Sequence, residues 1–201
     1  MSWVMFDFGG VVCTPQPEQD LAALAAMAGV SVPELLDAYW PRRLSYDEGA
    51  LTAVTYWQDV AGRLATTFTQ AQIDGLVRLD IASWAHLDEA TVRLINDLDA
   101  AGIRLALLSN APVEVARSVA DLPVARHFEH LMFSCYFHAV KPDPACFRQA
   151  LDQLGAAPGE VSFIDDREPN VTAAAGMGMH AHRFTGAGQA RDWLAGINAA
   201  S

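Results

Sequence analysis

Lysine is almost missing from this 201-residue chain: twelve of its thirteen basic residues are arginine, and Lys141 stands alone. Positive charge as a whole is scarce, with thirteen Lys+Arg against twenty-four Asp+Glu and a formal net charge of −11. Such a chain has no general electrostatic pull toward nucleic acid or an anionic membrane, so any anion it handles must meet a local cluster of donors or a metal. The three cysteines, Cys13, Cys135 and Cys146, are too few and too odd in number for a disulfide framework and are expected as reduced thiols. No apolar run approaches the ~20 residues of a membrane span; Leu21 to Val30, the longest, is about half that and rich in alanine. The start, Met1-Ser2-Trp3-Val4-Met5-Phe6-Asp7, lacks the basic region of a signal peptide and is cut short by a charge. The expectation is a cytoplasmic protein with neither nucleic-acid nor membrane partners. No internal repeat or low-complexity tract interrupts it.

Apolar residues make up 52% of the chain and charged ones 18%, which suits a folded domain with a substantial core. Short apolar runs at Trp3–Phe6, Ile103–Leu108, Leu131–Cys135, Val161–Ile164 and Met179–Phe184 read as strands. Between them Ala90–Ala101, Val113–Ala120, Pro144–Leu154 and Pro169–Gly176 carry helical patterns. Strands alternating with helices predict an α/β fold, a Rossmann-like parallel sheet covered on both faces. From 15 to 85 the alternation stops. Helical spacing takes over (Leu21, Leu24, Ala28; Val54, Trp57, Val60, Leu64; Ile73, Leu76), punctuated by the capping pattern Ser31-Val32-Pro33-Glu34. The predicted organisation is a core of residues 1–14 and 86–201 with an inserted all-α cap over 15–85.

Ligands bind at the carboxyl ends of strands in such sheets. Those ends carry Asp7, Ser109-Asn110 and Asp165-Asp166. Asp7 precedes Phe8-Gly9-Gly10, where glycines let backbone N–H groups approach a ligand; it fits a nucleophile, or a turn-forming aspartate. Ser109 and Asn110 open a helix and suit phosphate oxygens, or simply cap that helix. Lys141 lies between Val140 and the braces Pro142 and Pro144, placed to neutralise a phosphate rather than float on the surface. Asp165 and Asp166 repel each other unless a cation compensates, and hard carboxylate oxygens suit Mg²⁺.

These four elements, in this order and across essentially the whole chain, resemble the haloacid dehalogenase-like (HAD) superfamily of hydrolases. Phe6-Asp7-Phe8-Gly9-Gly10-Val11-Val12 is similar to its first motif, Leu107-Leu108-Ser109-Asn110 to the second, Lys141-Pro142-Asp143-Pro144 to the third and Phe163-Ile164-Asp165-Asp166-Arg167-Glu168-Pro169-Asn170 to the fourth. The resemblance implies a Mg²⁺-dependent phosphatase in which Asp7 becomes an aspartyl-phosphate. It further implies that Ser109 and the Asn110 backbone bind the phosphoryl group and that Lys141 stabilises its charge. Asp7, the Gly9 carbonyl and Asp166 would hold the metal, with Asp165 auxiliary. The implied partner is a small phosphorylated metabolite.

Gly9 is the departure. Most phosphatases of this superfamily carry there a second aspartate that protonates the leaving oxygen, a contribution of roughly 10²–10⁴-fold. The sequence resembles some sugar-1-phosphate phosphatases in having glycine instead, so a cap residue, or a leaving group that needs little protonation, takes up the deficit. The alternatives are a 2-haloacid dehalogenase, against which the Asp165-Asp166 pair weighs, and a non-catalytic phospholigand-binding protein. Cys135, His138 and Cys146 lack a zinc spacing and are expected as core thiols and a loop histidine. Of Trp40, Tyr46, Trp57 and Trp84, most are expected in the core of the cap and some on a substrate pocket. Arg42-Arg43 and Asp47-Glu48 are expected to be mostly solvated, with one of them able to point toward Asp7 as a substrate contact. Asn170 either orients the metal's surroundings or sits in the first turn of its helix.

Overall fold

Trp3–Phe6 forms the first strand, β1, and every residue of it is buried. The computed structural model of the chain describes residues 3–200, with side chains through Ile197; Met1 and Ser2 of the start, and Ser201, lie outside the described residues. β1 lies at the centre of a five-stranded sheet with β2 (Arg104–Ser109), β3 (His130–Phe133), β4 (Val161–Asp165) and β5 (His180–Arg183), in the order β3-β2-β1-β4-β5. All pairings are parallel; Phe6 stands beside Leu107 on one side and Ile164 on the other. The chain fills one side of β1 first and then returns to the other, so the strand order reverses at the C-terminal end of β1. Sheets of this type bind ligands at such a reversal.

Period-2 alternation splits the sheet's apolar residues between two cores. Val4, Phe6, Leu105, Leu107 and Ile164 face one way, against α6 (Glu89–Ala100), α7 (Val113–Ala120) and α11 (Ala187–Ala200). Trp3, Met5, Ala106, Leu108 and Phe163 face the other, against α9 (Pro144–Leu154) and α10 (Glu168–Gly176). Burial on both faces explains why these strands read as continuous apolar runs.

Several strand ends differ by a residue or two from the sequence reading. β2 runs to Ser109. β3 ends at Phe133, not Cys135, because Ser134 opens the short helix α8 (Ser134–Phe137). The Ser134 hydroxyl accepts from the Ala111 amide at 3.0 Å and donates to the Asp47 carbonyl at 2.5 Å, bonds that a pleated continuation would not place together.

Between β1 and α6 lie α1 (Glu18–Ala28), α2 (Val32–Tyr39), a 3-10 turn at Trp40–Arg42, α3 (Arg43–Asp47), α4 (Ala53–Arg63) and α5 (Gln70–Ser83). Their starts are capped as the sequence indicates: Ser31 with Glu34 and Thr69 with Gln72 form capping boxes, and Thr52 accepts from the Thr55 amide. They bury a core of their own, including Leu24, Leu35, Tyr56, Trp57, Val60, Ile73 and Leu76. The two chain crossings to the sheet run side by side, with the Thr14 amide donating to the His86 carbonyl and the Asp88 amide to the Val12 carbonyl. From α3, the Tyr46 hydroxyl donates to Glu114 of α7 at 2.8 Å, tying this helical segment over the strand ends. No single described helix is long and apolar enough to cross a membrane.

Candidate active site

Asp7 follows β1 directly. Its amide donates to the Ile164 carbonyl at 2.8 Å, extending the β1–β4 ladder by one bond and fixing where the side chain emerges. The Phe8 amide donates to Asp7 Oδ1 at 2.7 Å. The chain then turns sharply, the amides of Val11, Val12 and Cys13 all pointing at the Phe8 carbonyl. Gly10 is required twice over: its φ is +74°, and a Cβ there would lie 2.5 Å from Asp166 Oδ2. Gly9 has room for no larger residue unless the Trp84 ring gives way, since its Cβ would stand 3.3 Å from that ring.

The single lysine is the hub. Lys141 is 1% exposed, and its Nζ lies 2.8 Å from each of three acceptors: Asp7 Oδ1, Asp165 Oδ2 and the Leu108 carbonyl. Those contacts use the full donor capacity of an ammonium. Asn110 sets the lysine's backbone, donating from Nδ2 to the Lys141 carbonyl at 2.9 Å and accepting from its amide on Oδ1 at 2.8 Å. The Asn110 side chain is therefore spent on the loop, which leaves its backbone and the buried Ser109 hydroxyl facing the cavity. Asp143 caps α9 through the Ala145 amide at 2.8 Å, bracing the same loop from the far side.

Asp165, fully buried at the end of β4, accepts from Lys141, from the Arg167 amide at 2.8 Å and from Asn170 Nδ2 at 3.0 Å on each oxygen. Asp166, next in sequence, points into the cavity half-buried. Oxygen atoms of Asp7, Asp165 and Asp166 all lie within 4.8 Å of one another. One buried ammonium against three carboxylates leaves the cluster negative, with only the exposed Arg167 drawing further on Asp166. Burial accordingly pushes the Asp7 carboxyl up to about 7 even with Lys141 beside it, and burial followed by the Asp165 charge pushes Asp166 upward. Burial also works to lower the Lys141 ammonium, but Asp7 and Asp165 outweigh it and hold it charged.

A divalent cation fits this place. The donors are hard carboxylate oxygens, with Asp7 and Asp166 not fully spent on other bonds. The Oδ1 of Asn170, buried at the cavity wall, has no hydrogen-bond partner, and a cation's water would supply the missing donor. Cys135 and Cys146 offer no such site. Both are buried thiols, pushed up to about 11 and about 12 chiefly by burial, and His138 turns outward in a left-handed loop conformation.

A cavity of about 760 Å³ connects these groups to the helical segment. Trp40 and Trp84 line it, whereas Trp57 and Tyr46 pack inside the segment's own core. Two residues expected in solvent are not there. Arg43 and Asp47 are 4% and 6% exposed and lie on the cavity wall, while Arg42 remains exposed. Arg43 Nε donates to Asp47 at 2.7 Å, and its Nη1 contacts both oxygens of Asp80 and the Tyr39 hydroxyl. A buried guanidinium needs this many acceptors; Asp47 stands one turn on, but Asp80 comes from α5, a partner not visible in the chain alone.

Burial pushes the Asp47 carboxyl up to about 6 against the pull of Arg43. The native state thus keeps this proton to higher pH than the unfolded chain does. The group's contribution is full below about pH 4 and is lost as pH rises through about 6. Asp47→Asn, which retains an acceptor for Arg43, is expected to make the fall of Tm over that window shallower. A thermal melt series with an unchanged slope would remove Asp47 from the pH response.

The family model described as haloacid dehalogenase-like hydrolase matches residues 1–178. The chain belongs to the haloacid dehalogenase-like hydrolases. This HAD-like hydrolase is 26% identical over 183 residues to phosphoglycolate phosphatase of Rhodospirillum rubrum, covering 88% of this chain and 76% of the relative. Its fold is shared with a HAD family enzyme of Bacteroides thetaiotaomicron, solved as an aspartate-to-alanine mutant in complex with magnesium and inorganic phosphate. The TM-score is 0.75 at 19% identity over 92% of this chain and 95% of that one. The L-2-haloacid dehalogenase of Xanthobacter autotrophicus, with chloropropionic acid covalently bound, has the same fold: TM-score 0.71 at 17% identity, covering 91% and 77%. The chain spans 10% and 17% of the length of two much longer curated relatives that it also matches.

Proposed function

We propose that this HAD-like hydrolase cleaves small phosphomonoesters with Mg²⁺ through an aspartyl-phosphate on Asp7. The observation that carries the reading is the charge imbalance of the site: Lys141 alone faces Asp7, Asp165 and Asp166, an arrangement that invites a divalent cation and, with it, a phosphate. Similarity to a phosphoglycolate phosphatase supports the same class of reaction.

Asp7 and Asp166 would hold Mg²⁺ together with the Gly9 carbonyl, with Asp165 orienting Lys141 and Asn170 rather than giving up its own bonds. The bound ion supplies positive charge to the transferring phosphoryl group. Asp7 attacks phosphorus in line, its second oxygen held by Lys141; the P–O bond to the alcohol breaks as the P–O bond to Asp7 forms. Ser109 and the backbone at Asn110 receive the equatorial oxygens at the start of α7. Water then cleaves the acyl phosphate, releasing inorganic phosphate and restoring Asp7. With glycine at 9, the released oxygen meets no core carboxyl, so esters whose leaving oxygen needs little protonation, such as sugar 1-phosphates and aryl or acyl phosphates, are favoured. The helical segment over 15–85 acts as the cap that selects the body of the ester. The buried free thiols suit a cytoplasmic setting.

The deciding experiment is phosphate release from an aryl phosphate and a panel of sugar phosphates, with Mg²⁺ and with EDTA. Release that EDTA abolishes is expected. Chloride release from 2-chloropropionate that is indifferent to EDTA would establish a dehalogenase instead. Silence toward both, with the protein folded, would leave a phospholigand-binding protein.

A further inference from the structure

The cavity that reaches Asp7 has two ends of opposite character. The inner end is the charged cluster. The outer end is apolar, made by Leu21, Leu36, Trp40, Leu44 and Trp84 from the helical segment and Val115 from α7. Most of the segment's aromatic rings are sealed in its core; Tyr39, Tyr56 and Trp57 are at most 1% exposed. Trp40 and Leu44 are instead 49% and 48% exposed, and both stand on the cavity wall. Uncovered apolar surface at the entrance of a site is where a ligand's apolar body gains most from leaving water.

Two of the cavity's three cations are already committed. Lys141 is shared between Asp7 and Asp165, and Arg43 between Asp47 and Asp80. Arg167, the third, is exposed at the cavity rim and makes no ion pair among the described residues, its charge drawing weakly on Asp166 and Asp47, which burial raises. The helical segment thus offers two buried carboxylates against one guanidinium, a poor receptor for a second anionic group on the substrate. The absence of a side chain at Gly9 extends the apolar wall inward, because the Trp84 ring stands where that side chain would project.

We propose that the ester this site takes is the monophosphate of an apolar alcohol or phenol, isoprenoid or aromatic in body and without a second charged group. The inference rests on the phosphomonoesterase reading above and narrows its substrate class. The phosphate sits at Asp7 and Lys141, the first carbons of the ester pass under the Trp84 ring, and the body lies between Leu36, Leu44 and Trp40. Trp40 and Leu44 are specificity residues here, remote from the reacting atoms.

The test compares kcat/KM at fixed Mg²⁺ for geranyl phosphate, glucose 1-phosphate and 2-phosphoglycolate, in the unaltered protein and in Trp40→Ala and Leu44→Asn. Both substitutions are at half-exposed positions, and a thermal melt confirms that each variant folds. Geranyl phosphate is expected to lead. The ratio of its kcat/KM to that of glucose 1-phosphate should fall roughly tenfold or more in each variant, mainly through KM. A preference for glucose 1-phosphate or 2-phosphoglycolate would overturn the inference, as would variants that lower all three substrates alike. If no ester releases phosphate, the hydrolase reading fails by itself, and calorimetry decides the apolar one. Geranyl phosphate binding more tightly than glucose 1-phosphate upholds the apolar site, and equal or weaker binding rejects it.

Discussion

Replacing Asp7 with asparagine is expected to lower phosphate release by about 10⁴-fold or more, the scale on which losing a nucleophile acts. The amide oxygen still accepts from Lys141 and from the Phe8 amide, so the hydrogen bonds around position 7 survive the change. What disappears is the carboxylate proposed to attack phosphorus. The fold should be untouched, because the substitution also removes one of three crowded negative charges and relieves the burial that raises Asp7. Phosphate release measured beside a thermal melt checks both halves. An active Asp7→Asn protein would place the nucleophile elsewhere; an unfolded one would make Asp7 a structural residue first.

Lys141→Met is expected to damage the protein more broadly. The lysine is buried, and it donates to two carboxylates and to the last carbonyl of β2 before Ser109. Methionine fills similar space but leaves Asp7, Asp165 and the Leu108 carbonyl without that donor. Breaking one side of a buried ion pair costs about 3–5 kcal/mol, because the charge left behind remains desolvated. For a chain of this length that corresponds to a fall in Tm of roughly 10 °C. Phosphate release should also be lost under the proposed mechanism, since Lys141 is the cation that contacts Asp7. Lys141→Arg is not a rescue: a planar guanidinium cannot direct three donors at acceptors grouped around one nitrogen. Urea unfolding that shows less than about 1 kcal/mol of loss would mean the charged cluster is solvated and its lysine dispensable.

Strand and helix placement was legible from the chain because both faces of the sheet are buried. That burial writes each strand as a short apolar run and each helix as a periodic one, and Trp3–Phe6, Val113–Ala120 and Pro144–Leu154 appear where they were expected. β3 was overextended by two residues for a local reason: Cys135 prolongs the run past Ser134, but the Ser134 hydroxyl is pulled into bonds with Ala111 and Asp47. The site's four parts were legible for a different reason. Each stands in a motif that resembles one family's in the same order; taken singly, Asp7 also suited a turn and Ser109-Asn110 a helix cap.

Arg43 shows where sequence reading stops. It sits beside Arg42 and near Asp47 and Glu48, a pattern that on most helices is a solvated face. One residue of rotation decides that Arg42 is exposed while Arg43 is buried. The deciding partners, Asp80 and Tyr39, come from two other helices. Trp84 is a similar case: only packing sets its ring against Gly9.

The amino-acid sequence by itself determined the α/β plan, the helical segment after β1 and the placing of Asp7, Ser109 and Asp165-Asp166 at strand ends, because backbone periodicity and strand-end chemistry are local properties; Lys141 joined them through the family resemblance. Only the tertiary structure decided which carboxylates share the lone lysine, that Asn110 spends its side chain on the lysine's backbone, and that Arg43 pairs with Asp80 beside a partly apolar cavity wall. Those are contacts between residues tens of positions apart. Their energies depend on burial and on a few tenths of an ångström, which no local pattern in the chain encodes.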